Sequence, residues 1–118
     1  MPNLQVTDEQ AWLAALGVMP QVEESSGDDF VQELIVPIAD SEELRITWDL
    51  TDDSVRIRHQ RGGSIVSDLF REMATLLTVL RQDAVREVVV EYGSTGWAGR
   101  TRVQVLPEVR IHDEVLRS

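Results

Sequence analysis

Cysteine is absent from the 118 residues, which removes disulfides, thiolate metal sites and thiol nucleophiles from consideration. Lysine is absent as well: all eleven basic residues are arginine, a bias that reads as the mark of a GC-rich bacterial genome. No apolar run approaches the ~18 residues that a membrane-spanning helix needs. The opening MPNLQVTDEQ carries neither the basic nor the apolar region of a signal peptide. The resulting expectation is a cytoplasmic protein without membrane contact.

Positive charge is scarce in the first half of the chain. Up to Ser54, 13 acids accompany one base, Arg45, whereas 8 acids and 10 arginines follow from Val55 onward. The net charge of −10 argues against nucleic-acid binding, because phosphate neutralisation dominates that affinity. It favours solubility and attraction to a basic protein partner. With 42% apolar and 27% charged residues the composition is that of a globular protein. The length suits one domain, residues 1–118, able to bury roughly two-thirds of its unfolded surface.

Patterning predicts an α+β fold: a mainly antiparallel sheet of five or six strands, in the order α-βββ-α-ββ-β, with two helices packed on one face. Thr7 and Gln10 form a capping-box pattern, with Trp12, Leu13, Leu16 and Met19 on one helical face, Gly17 as a C-cap and Pro20 as a stop. The acidic segment 21–29 reads as a loop. Leu34, Val36 and Ile38 alternate as a strand that Pro37 confines to a sheet edge. The segments 44–50 and 55–58 alternate on either side of Thr51-Asp52-Asp53-Ser54 and form a hairpin. Leu69, Phe70, Met73, Leu76, Leu77 and Leu80 share one face at 3.6 residues per turn, which predicts a second helix over 68–81. Strands follow at 88–92 and 103–105, with a last one near 109–111.

Chemistry-bearing patterns are few. Gly93-Ser94-Thr95-Gly96-Trp97-Ala98-Gly99 lies between two strands rather than before a helix, so it reads as a hairpin and not as a phosphate loop. Arg61-Gly62-Gly63 is a turn. His59 and His112, with Asp113 beside the second, lack metal-ligand spacing. No nucleophile, base and orienting group share a motif. The expectation is therefore a non-enzymatic chain with no catalytic residue, no metal and no cofactor.

Two surface sets remain. Arg56, Arg58, Arg100, Arg102 and Arg110 occupy solvent-facing strand positions and would form a basic strip if the sheet has one open face. The acids Glu23, Glu24, Asp28, Asp29, Asp40, Glu42 and Glu43 bracket the first predicted strand, and Trp97 stands at a loop tip. These eight residues are the candidate partner-binding set, with Trp97 as the anchor. Size, acidity and the lack of chemistry suit an immunity-type module that neutralises a basic toxin by charge complementarity. A second reading is a secretion chaperone: the element order and acidic pI are similar to the class I family, although the chain ends in EVLRS instead of that family's long helix. A third is an enzyme or small-ligand binder whose pocket has no sequence motif.

Overall fold

The computed structural model describes residues 4–24, 27 and 29–116. In chain order it contains β1 (Gln5–Val6), α1 (Glu9–Leu16), β2 (Gln21–Val22), β3 (Val31–Ala39), β4 (Glu42–Asp49), β5 (Ser54–Arg61), β6 (Ser64–Arg71), β7 (Ala74–Gln82), β8 (Val85–Ser94), β9 (Trp97–Leu106) and β10 (Arg110–Leu116). The strands form two five-stranded sheets, β1-β7-β8-β9-β10 and β2-β3-β4-β5-β6. Among the described strands only the β1–β7 pairing is parallel; the others are antiparallel.

Alternation decides which side of each strand is buried. Leu34, Val36, Leu44, Ile46, Trp48, Val55 and Ile57 of one sheet share a core with Ala74, Leu77, Val88, Val90, Val103 and Val105 of the other. Each leucine, isoleucine or valine among them contributes on the order of 1.5–3 kcal/mol by leaving water. The helix adds Trp12, fully buried and stacked on Trp48 with ring centroids 5.9 Å apart and planes 20° from parallel.

The expected α+β layout is overturned: among the described residues this is a mostly β, two-sheet architecture with one helix of eight residues. The error lies at residues 68–81. They form the end of β6 and nearly all of β7, joined at Glu72 and Met73, with Met73 in the left-handed region at φ 55°. The helical spacing was real but also fits two strands meeting at a two-residue corner. Strand parity divides the stripe, so that Leu77 is fully buried while Phe70 and Leu80 stand half-exposed on the outside. Ile65, Val66, Thr75, Thr78 and Val79 supply the β-prone residues that the helical reading passed over. With the second helix gone, the element order behind the chaperone resemblance is gone too.

Other expectations need smaller adjustments. The first helix begins one residue later than the capping box implied: the Asp8 carboxylate accepts the Ala11 amide at 2.8 Å, and the Thr7 amide donates to the Leu77 carbonyl instead. Gly17 caps the helix at φ 74°. β3 is second in its sheet, yet β2 pairs only with Gln32 and Glu33, so Pro37 meets no ladder on that side. Gly62 and Gly63 both have positive φ, the geometry of a tight hairpin turn, but β6 follows rather than a helix.

Because consecutive long strands reverse, their turns gather at two ends. The corner end holds the β4–β5 turn, the Glu72-Met73 link and the β8–β9 turn. The opposite end holds the β3–β4, β5–β6, β7–β8 and β9–β10 connections.

Two substitutions test this fold, and the second separates it from the helical reading. Leu77→Ala should lower unfolding free energy by about 2–5 kcal/mol through lost transfer energy and a cavity. Met73→Gly should leave stability unchanged or raise it by up to about 1 kcal/mol, because glycine adopts left-handed φ without a Cβ penalty. Inside a helix the same change would cost about 1 kcal/mol. Urea denaturation of both variants checks the pair of values.

Candidate functional site

The five arginines of the expected basic strip do not share a face. Arg56 and Arg58 lie on the outside of one sheet, Arg100, Arg102 and Arg110 on the outside of the other. Acids offset most of them. Arg56 holds Asp68 through two bonds of 2.9 and 2.6 Å. Arg102 bridges Glu87 at 2.9 Å and Glu114 at 3.4 Å, tying three strands together. Arg100 pairs with Glu91 and Arg110 with Glu108. Alternation placed these residues outward correctly; the partners on neighbouring strands could not be known without the register.

A second network joins the sheets near the corner end. The Asp113 carboxylate accepts the Thr101 hydroxyl at 2.6 Å, the Tyr92 hydroxyl at 3.1 Å and Nη2 of Arg71 at 3.0 Å. Arg71 also donates through Nε to the Thr101 hydroxyl and sits over the Tyr92 ring, 5.4 Å from its centroid. That ring lies flat over Gly99, where a Cβ would stand 2.5 Å from its carbons. Glycine is required there by close approach. Burial alone would push Asp113 up, but the two hydroxyls and the guanidinium together outweigh it and hold its carboxyl below the ordinary range.

The candidate acids separate into two groups. Glu23, Glu24 and Asp29 precede β3 at the corner end; Asp28 lies outside the described residues. Asp40, Glu42 and Glu43 stand at the opposite end, across the length of the strands. An eight-residue strand spans ~26 Å, about three Debye lengths at physiological salt, so the two groups are not one patch. At the opposite end Glu42 and Glu43 are already engaged. Glu42 binds Nε2 of His59 at 2.6 Å and Arg61 at 3.3 Å, and the His59 bond chiefly holds its carboxyl low. Glu43 pairs with Arg45 at 3.2 Å.

The corner end is different. The fold adds Asp49, Asp52, Asp53 and Glu72 there, residues that pattern alone assigns to a strand, a turn and a helix. Among the described residues, Glu24, Asp29, Asp49, Asp52 and Glu72 form no ion pair with an arginine. Asp49 instead accepts the amides of Thr51 and Asp52, and Asp53 accepts the Leu4 amide at 3.0 Å. A cleft of about 440 Å³ runs between Asp52, Asp53, Glu72 and Met73 on one side and Gly93 and Ser94 on the other. It continues past Thr75 into a second hollow of about 300 Å³ bordered by Trp97. Trp97 meets the Tyr92 ring edge-on at 6.1 Å and leaves 38% of its surface exposed, with Met73 at 48% and Phe30 at 59%.

The two histidines do not meet: His59 is buried in one sheet, and His112 lies exposed on the outside of the other. Among the described residues no group of histidine, aspartate or glutamate is placed to hold a metal ion, and no helix is long and apolar enough to cross a membrane.

No protein-family model matches this chain, and no curated protein matches it. A solved structure does match in fold. It is a chain of the contact-dependent growth inhibition toxin–immunity protein complex from Klebsiella pneumoniae 342, with a TM-score of 0.79 over 98% of this chain and 100% of that one. Sequence identity is 7%, so the likeness is one of fold.

The ion pairs carry a pH dependence whose sign is fixed. Glu42, Asp68 and Asp113 all titrate below their ordinary values in the folded chain. Their stabilisation is therefore complete above the unfolded carboxylate range, near pH 4, and is lost as pH falls through the lowered values. Melting temperature should fall steadily below about pH 4, and Asp113→Asn should make that fall shallower. Calorimetric scans between pH 7 and 2.5 measure both.

Proposed function

We propose that this chain is an immunity-type protein, which binds a toxin domain and blocks it by occupying its surface. The observation that carries the reading is the fold likeness across nearly the whole chain to a member of a toxin–immunity complex. Charge supports the immunity role over the toxin role. A net −10 opposes binding to phosphate backbones and favours association with a basic protein. We further propose that this basic partner is met in the cytoplasm.

Inhibition of this kind needs no chemistry from the inhibitor. It needs fast capture and slow release. Complementary charge raises the association rate, whereas buried apolar anchors govern release. The chain has both kinds of group on its surface, in unpaired carboxylates and exposed aromatic or aliphatic side chains.

The test is growth. A polypeptide encoded beside this chain's gene should arrest a host when expressed alone, and co-expression of this chain should restore growth and yield a purified complex. Growth arrest caused by this chain alone, relieved by its neighbour's product, would assign it the toxin role instead. Failure of every adjoining product to arrest growth or to form a complex would remove the immunity reading.

A further inference from the structure

We propose that the corner end is the docking surface of this protein, and that its occupant is a protein face presenting arginine or lysine side chains. The identity of the occupant as a toxin rests on the function proposed above; the choice of surface rests on geometry.

Apolar exposure is the first observation. Met73 and Trp97 border one continuous cleft through Thr75, Gly93 and Ser94, and Phe30 projects from the strand start at the same end. Half-exposed Met and Trp beside a concavity are the side chains that anchor protein interfaces. The Trp97 ring is additionally a face on which a guanidinium can stack.

Charge complementarity identifies what covers them. Elsewhere on the described surface, carboxylates are largely spent on arginines of the same chain. Beside the cleft, Asp52 and Glu72 have no such partner. A basic side chain entering the cleft would supply the missing countercharge, while an acidic or neutral face would leave it uncompensated. At the opposite end the carboxylates that line the hollow between Ile35, Pro37, Gln60 and Gly62 are Glu42 and Glu43, already bound to His59, Arg61 and Arg45, and Asp40 and Asp83 lie outside it.

Rigidity is the third observation. The Ala74 amide donates to the Asp53 carbonyl and the Gly93 amide to the Met73 carbonyl, while Asp49 and Asp53 fix their turn through amide bonds. A surface held in place before binding loses little entropy on association.

Two probes test the proposal. The first is a hexa-arginine peptide titrated into the full chain and followed by amide chemical shifts. Shifts should concentrate at residues 50–53, 72–75 and 93–97 and shrink in the double variant Asp52→Asn/Glu72→Gln. Shifts centred on residues 40–43 and 83 would overturn the choice of surface. The second probe is the toxin polypeptide encoded beside the gene. Asp52→Asn/Glu72→Gln should weaken its binding about tenfold at low salt, chiefly through association rate. Trp97→Ala and Met73→Ala should each weaken it about tenfold through dissociation, while Asp40→Asn/Asp83→Asn should bind within twofold of the parent. Variants melting with the parent exclude misfolding, and the peptide result stands without any variant. If the toxin binds and both corner-end sets keep full affinity, the surface is wrong and the immunity reading survives. If no toxin is found yet the peptide maps to the corner end, the surface stands and the immunity reading fails.

Discussion

Two residues, Glu72 and Met73, carry the chain from one sheet to the other, and the rest of the molecule depends on that corner. Without it, β3 to β10 would be a single open meander with one apolar face exposed. With it, the two inner faces close on each other and bury Leu34, Leu44, Ile46, Leu77, Val88 and Val103. The corner is held by backbone bonds: Ala74 to Asp53, Gly93 to Met73, and the Leu4 amide to the Asp53 carboxylate. Met73 accepts a left-handed φ of 55° to make it, a cost of order 1–2 kcal/mol that the buried core far exceeds.

The same corner sets the electrostatics. Folding the meander brings the β4–β5 turn, the β6–β7 link and the β8–β9 turn together, and with them Asp49, Asp52, Asp53 and Glu72. On the sheet faces, register does the opposite and lays arginine beside acid, as in Glu87–Arg102–Glu114 and Arg56–Asp68. Exposed pairs of this kind add little stability each. Their larger effect is on the surface potential, since they neutralise the faces and leave the corner end negative.

Much of this was legible in the sequence, and the part that was not has a physical reason. The β4–β5 hairpin, the 88–92 strand, a hairpin turn within Gly93–Gly99 (narrowed by the structure to Thr95-Gly96) and the Gly17 cap follow from period-2 alternation and turn chemistry, which are local. The span 68–81 failed because its apolar spacing satisfies both a helix and two strands around a corner. Only long-range pairing of Ser67–Arg71 with β5 and of Ala74–Gln82 with β8 decides between them. The basic strip failed for a related reason: alternation reports that Arg56 and Arg102 point outward, but not that they lie on different sheets. Trp97, the first residue of β9 just past the Thr95-Gly96 turn, stands out in the sequence because aromatics near turns are conspicuous. Asp52 and Glu72 do not stand out because each is ordinary alone, one in a turn and one on the polar side of a predicted helix, and only the corner brings them to one cleft.

Amide hydrogen exchange, resolved by residue and compared between the free chain and its complex with the proposed toxin partner, tests most directly the claim that the corner both builds the fold and presents the interface. The amides of Ala74 and Gly93, bonded across the corner, should exchange slowly in the free chain and more slowly still in the complex, together with Trp97. The Gly62 amide, bonded to the Ser41 carbonyl at the opposite end, should be protected equally in both. Fast exchange at Ala74 and Gly93 in the free chain, or new protection at Gly62 with none at the corner, would contradict the account.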